Sequence, residues 1–150
     1  MGQTGTLGSA ATAAGRLLLD ALGEKSPARS LSRLNDSPRA VRLLRELFTV
    51  AVRRGFVGRD PRDVTAYVRD LLEYQELPAG GELAREAEAV IRSVIGEPEL
   101  AYGIPDLRRF ELICYIVGDL ARPPGVPTPE LVALVHQAEW RLTRLGRLAP

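Results

Sequence analysis

The 150-residue chain contains only one cysteine and one histidine, the residues that most often carry metal or covalent chemistry. One cysteine cannot form a disulfide within the chain, and one histidine cannot supply the imidazoles of a multi-histidine metal site. Di-iron sites in helical bundles repeat a Glu-x-x-His pair. Here Val132 and Ala133 occupy the acid positions before His136. The sequence therefore indicates no metal site and no cofactor.

The motifs of nucleophilic catalysis and nucleotide binding are also missing. Cys114 lies within an apolar helical stripe, where a thiol is expected to be neutral and unreactive. The pair Gly80-Gly81 is followed by Glu82 rather than by the lysine and hydroxyl of a phosphate-binding loop. Nothing here argues for an enzyme, although a small-molecule or enzymatic role is retained as a third alternative.

Long apolar runs are absent as well. The longest, Leu112 to Val117, is far shorter than the roughly 18 residues that span a bilayer. The stretch 10–22 lacks a basic leader and is interrupted by Arg16 and Asp20, so it does not resemble a signal peptide. Together with the solitary cysteine, these features lead us to expect a cytoplasmic protein without a membrane span.

Charge of one sign does not dominate the composition, because 20 basic side chains face 19 acidic ones. Of the basic residues, 19 are arginine, and the charges are distributed unevenly. Residues 1–62 carry 11 basic and 5 acidic side chains, whereas residues 63–121 carry 5 and 12. This polarity either steers association with a partner or a second copy, or is neutralised within the fold.

What the sequence does contain is helical periodicity, and it predicts an all-α fold. Ser37, Asp60 and Thr128 each precede a proline, which is typical of a helix N-cap followed by proline at the first helical position. No segment alternates with the period of a strand. Apolar stripes three to four residues apart, which include Leu107 and Leu145, predict helices near 38–54, 61–77, 82–95, 105–121 and 129–145.

The N-terminal region differs in composition from the rest. Residues 1–36 predict a flexible or weakly helical arm, with a short Ala/Leu helix over 10–22 and a linker over 24–36. Because alanine buries little area, this helix is expected to be weakly anchored. Residues 37–150 predict a single helical domain, a compact bundle of about five helices.

The favoured functional hypothesis rests on the last helix, where Trp140 falls opposite the apolar stripe. We name the Trp140 patch as His136, Trp140, Thr143 and Arg144, which share one side of that helix. Tryptophan and arginine are typical interface anchors. The patch predicts a non-enzymatic interaction module (an adaptor, regulator or assembly component) that binds a protein partner or itself. Alternatively, helix 10–22 or the linker covers the indole.

An arginine-rich segment over 39–62 provides the second hypothesis. Its helix and the next one resemble a helix-turn-helix only loosely, and the second helix carries acids that would repel phosphate. A solvated strip in which Arg42 pairs with Glu46 is the simpler interpretation. If the segment does bind nucleic acid, the contacting side chains are Arg39, Arg42, Arg45, Arg53 and Arg54.

Overall fold

A computed structural model describes residues 12–121 and 128–146, and every structural statement below concerns those residues. They form helices connected by turns and contain no strand, which confirms the all-α prediction. Seven α-helices are present, together with short 3₁₀ helices at Arg33–Asp36 and Pro98–Ala101. The α-helices are α1 (Ala13–Leu22), α2 (Pro27–Ser32), α3 (Pro38–Phe56), α4 (Pro61–Tyr74), α5 (Glu82–Ser93), α6 (Asp106–Asp119) and α7 (Pro129–Arg144).

The five helices predicted from residue 38 onward correspond to α3–α7, with ends that differ by at most a few residues. Local capping explains this agreement. The side-chain oxygens of Ser37, Asp60 and Thr128 accept backbone N–H bonds of 3.3, 2.8 and 3.2 Å from residues two or three positions further on. Each cap satisfies an amide that has no partner within its own helix.

The described residues group into two compact units. The first comprises the described parts of Met1–Val50 and Cys114–Pro150, and the second is Ala51–Ile113. Both units contain fully buried aliphatic side chains. In the first unit these include Leu18, Leu22, Leu31, Leu43, Leu44 and Leu47. In the second they include Val52, Val64, Leu71, Leu72, Ile91 and Leu112.

Helix α1 corresponds to the predicted Ala/Leu helix, whose first residues lie outside the described part of the chain. It packs against α2 and α7 within the first unit. Leu18 and Leu22 are both 0% exposed, so leucines add buried apolar area to that of the buried alanines. The expectation of a weakly anchored helix is therefore corrected.

The segment expected to be a linker over 24–36 also differs from the prediction, since it contains α2 and a 3₁₀ helix. Ala28 of α2 is packed closely against α6. A Cβ atom added to Gly118 of α6 would lie 2.8 Å from the backbone nitrogen of Ala28. Glycine is thus required where α2 meets α6. The division of the chain into residues 1–36 and 37–150 stays a prediction.

Two leucines that the sequence placed in apolar stripes are exposed. Leu107 is 74% exposed and Leu145 is 59% exposed. Leu107 is the second residue of α6, and Leu145 follows the last residue of α7. A side chain in an apolar helical stripe is buried only where a neighbouring element packs over that turn. Periodicity therefore does not predict burial reliably at the ends of a helix. Cys114 is buried, as expected.

None of the helices in residues 12–121 and 128–146 is long and apolar enough to cross a membrane.

Candidate functional site

Trp140 lies on the solvent side of α7. The buried side of this helix is formed by residues that include Leu131, Val135, Ala138 and Leu142, each at most 2% exposed. Trp140 is 59% exposed, in agreement with its position opposite the apolar stripe. Helix α1 packs against α7 without covering the indole, so the structure does not support the alternative of an internal cover.

Arg144 lies against the indole ring one helical turn after Trp140. The central carbon of its guanidinium is 4.6 Å from the ring centroid, which is a cation–π contact. Arg144 is itself exposed. The contact holds a flexible cation and a large apolar ring together as one surface, because stacking restricts the rotamers of both side chains.

A shallow groove of about 240 Å³ adjoins this pair and is lined by Trp140, Arg141, Arg144 and Leu145. Arg141 forms an ion pair within the first unit, with its Nε 2.8 Å from Oε2 of Glu46 on α3. Sequence reasoning missed both Arg141 and Leu145. The signal was present for Leu145, since Gly146 directly after it marks the end of the helix.

His136 and Thr143, the other members of the Trp140 patch, are both exposed on α7. Neither lines the groove. Of the four patch residues, Trp140 and Arg144 are therefore in contact and line the groove, whereas His136 and Thr143 lie outside its lining. Arg141 and Leu145, which do not belong to the patch, complete the lining.

The electrostatic character of this end of α7 is positive. Residues 136–146 contain two arginines, Arg141 and Arg144, and one acidic residue, Glu139. Glu139 is 3% exposed and points into the first unit. Because Arg141 pairs with Glu46, Arg144 is the cation of this surface that no carboxylate in the described part of the chain balances.

Glu139, on the buried side of α7, connects this helix to the N-cap of α1. Its Oε2 accepts a 2.8 Å hydrogen bond from the backbone amide of Thr12 and a second hydrogen bond from the Thr12 hydroxyl. That hydroxyl also accepts a 3.0 Å bond from the amide of Gly15 and so caps α1. The residue next to Trp140 thus ties α7 to the start of α1. Sequence patterning gives no sign of this contact, since it depends on two distant segments.

The five arginines of the second hypothesis all lie on α3 and are exposed. In the first unit, Arg42 and Arg45 line an open groove of about 310 Å³, and Arg39 is exposed at the start of the helix. In the second unit, Arg53 donates a 3.2 Å hydrogen bond from Nε to the carbonyl of Val94, at the end of α5. Arg53 therefore has a structural contact in addition to its exposed charge, and Arg54 is exposed beside it. The remaining residues of the 310 Å³ groove are Asn35, Pro38 and Val41.

The second unit exposes a further apolar surface that the sequence did not suggest. Tyr102 is 78% exposed, Leu107 is 74% exposed and Leu100 is 38% exposed. Glu99 and Asp106 are exposed among them. We name these five residues, which lie around the 3₁₀ helix Pro98–Ala101 and the start of α6, the Tyr102 surface.

Next to this segment, Arg92 and Glu97 form a two-pronged ion pair with N–O distances of 2.7 and 2.8 Å. The hydrogen bonds that Arg92 donates to the Glu97 carboxylate, together with the negative charge of that carboxylate, raise the pKa of Arg92 above its usual value despite partial desolvation. The pair borders a groove of about 170 Å³ that Phe56 and Ile95 also line. Within the described residues, no three His, Cys, Asp or Glu side chains are grouped to hold a metal ion.

Comparison with family models, curated proteins and solved structures gives no match for this chain.

Proposed function

We propose that this chain is a non-enzymatic helical interaction module and that it binds a protein partner through the Trp140 patch. The observation that carries the proposal is the 59% exposure of Trp140 beneath the guanidinium of Arg144. A buried tryptophan side chain removes about 150–250 Å² from water. An indole left outside the core therefore holds much unused apolar area, and residues of this type dominate binding energy at interfaces.

Preorganisation of the surface also supports the proposal. The cation–π contact restrains Trp140 and Arg144, and the ion pair with Glu46 restrains Arg141. The backbone beneath them is fixed by the Glu139–Thr12 hydrogen bonds. A surface that is already ordered loses less conformational entropy when a partner binds, and it binds more tightly for the same contacts.

The chemistry of the surface indicates what the partner must present. It should place an apolar side chain in the groove against Trp140 and Leu145, and a carboxylate within reach of Arg144. The guanidinium edges remain available for such a bond because stacking occupies only the face of the group. An adaptor, regulator or assembly component acting in the cytoplasm fits this description.

Affinity capture with the intact chain and two variants tests the proposal. Trp140→Ala removes the anchor, whereas Val57→Ala removes an apolar side chain of similar exposure, 63%, from the second unit. We expect Trp140→Ala to reduce the captured partner at least about tenfold, as for an interface anchor. Val57→Ala should leave capture unchanged. Equal capture by Trp140→Ala and the parent chain would refute the role of the patch.

Nucleic-acid binding is the second candidate function, and one observation favours it. Arg39, Arg42 and Arg45 are exposed along the first half of α3, and the last two line the groove of about 310 Å³. Phosphate contacts of this kind release counterions, so binding would weaken steeply with salt. Retention on duplex DNA or RNA at low ionic strength, abolished by Arg42→Gln with Arg45→Gln, would support this candidate. No retention at low ionic strength would exclude it.

A further inference from the structure

We infer that the partner of the Trp140 patch is the Tyr102 surface of a second copy of this chain. This inference rests on the proposed function, since it names the occupant of the same site. The contact would join the first unit of one copy to the second unit of the next.

The Tyr102 surface contains the two most exposed large apolar side chains of the second unit. Tyr102 and Leu107 exceed 70% exposure, and they flank a turn made of Gly103, Ile104 and Pro105. Both side chains therefore offer apolar area that a partner could cover. The groove beside Trp140 is open and lined by an indole and an exposed leucine, which suits such side chains.

Charge complementarity identifies a second copy as the occupant. The Tyr102 surface carries Glu99 and Asp106, and Asp106 is already paired with Arg109. Glu99 is therefore the unbalanced anion of that surface within the described residues, just as Arg144 is the unbalanced cation of the Trp140 patch. In the proposed contact, Glu99 pairs with Arg144 and apolar area is buried on both surfaces.

The charges of the two units have the same polarity. The described residues of the first unit, 12–50, 114–121 and 128–146, contain 9 basic and 7 acidic side chains, a net charge of +2. The second unit, residues 51–113, contains 9 and 12, a net charge of −3. Units of opposite charge attract when they belong to different copies, and this attraction increases the rate of association at low salt.

A contact between two different surfaces is heterologous, because each copy keeps one surface of each kind available for the next copy. Assembly can therefore grow beyond a dimer until it closes or stops. A contact between two Trp140 patches would instead form a symmetric dimer and bring two Arg144 cations together, which is unfavourable.

A charge-exchange experiment tests this inference by sedimentation velocity at low ionic strength. Arg144→Glu opposes Glu99 with a like charge, and Glu99→Arg does the same from the other side. Each variant alone should associate about tenfold more weakly than the parent chain. An equimolar mixture should regain association, because each variant's altered surface then faces an opposite charge on the other, and the doubly substituted chain should regain it alone.

Two variants control for net charge. Arg16→Glu and Glu73→Arg change exposed residues outside both surfaces and alter the net charge by the same amounts. Both should associate like the parent chain. Tyr102→Ser alters no charge but removes an apolar ring from the proposed contact, so this variant should also associate more weakly than the parent chain. Unchanged helical circular dichroism confirms that each variant is folded.

The inference is overturned if the parent chain stays a monomer at every accessible concentration, or if the mixture remains as dissociated as its components. It is also overturned if Glu99→Arg associates like the parent chain. If self-association fails in one of these ways but Trp140→Ala still reduces partner capture, the proposed function is retained and the partner is a different protein. If Trp140→Ala retains both capture and self-association, the proposed function fails with it.

Discussion

Thr12 and Glu139 are 127 positions apart in the sequence, yet the amide of Thr12 donates a 2.8 Å hydrogen bond to the buried carboxylate of Glu139. The hydroxyl of Thr12 donates to the same oxygen. This contact joins Thr12, the N-cap residue of α1, to the residue immediately before Trp140. The stability of α1 and the position of the candidate interface are therefore linked.

Removing this carboxylate should destabilise the protein while leaving its helices in place. Glu139→Ala removes the acceptor of both Thr12 bonds in a buried site, and we expect a loss of about 2–3 kcal/mol in the free energy of unfolding. Urea denaturation measures this loss. Glu130→Ala, an exposed acid on the same helix, should change stability by less than about 0.5 kcal/mol. Equal effects of the two substitutions would contradict the contact.

The close approach of α2 and α6 gives a second prediction. In Gly118→Ala the new methyl group would lie 2.8 Å from the backbone nitrogen of Ala28, so α2 must move. We expect a loss of about 1–3 kcal/mol. Gly55→Ala is the matched control, because Gly55 also lies in a helix and has nothing within 4 Å of the added atom. It should stabilise the protein by up to about 1 kcal/mol through helix propensity. If both variants have the same midpoint of thermal unfolding, the close contact between Gly118 and Ala28 is contradicted.

The helices themselves could be predicted because their signals are local. Ser37, Asp60 and Thr128 accept bonds from amides two or three residues away, so the sequence alone contains both partners. The position of Trp140 opposite the buried stripe is likewise a property of one helix. For these features, helical geometry and capping chemistry are sufficient.

The remaining features depend on contacts between distant segments. Nothing near Gly118 indicates that Ala28 lies against it, and nothing near Glu139 indicates Thr12. Leu107 was wrongly expected to be buried because periodicity shows which side of a helix is apolar, but not where its cover ends. The Tyr102 surface was missed because Leu100 and Tyr102 lie outside the α-helices, where helical periodicity gives no indication of burial.

Because the chain has a single tryptophan, its fluorescence reports the charge beside Trp140 directly. The guanidinium of Arg144 lies 4.6 Å from the indole centroid and attracts anions to it. With each ion's quenching expressed relative to its quenching of a neutral tryptophan derivative, we expect iodide to quench the emission more efficiently than caesium at equal concentration and ionic strength. In Arg144→Glu this preference should reverse, and in Arg16→Glu it should persist. A parent chain quenched equally by both ions would show that Arg144 does not lie over the ring in solution.

Trp140 should contribute little to folding, in contrast to its neighbour on the buried side. We expect Trp140→Ala to change the free energy of unfolding by no more than about 0.5 kcal/mol, since the side chain is 59% exposed. Leu142→Ala, two residues further on and 2% exposed, should cost about 2–5 kcal/mol. Chemical denaturation of the two variants checks this difference. A loss of several kcal/mol in Trp140→Ala would place the indole in the core.

The most direct test of the account follows Trp140 itself during complex formation. Incorporation of 5-fluorotryptophan places a single ¹⁹F nucleus in the chain, because no other tryptophan is present. In the dilute free protein, its resonance should show the H₂O-to-D₂O shift of a solvent-exposed indole. When the partner or a second copy binds, the resonance should move and lose most of that solvent shift. A resonance that is already shielded in the dilute protein, or that is unchanged in the complex, would contradict the claim that Trp140 is the centre of an interaction surface.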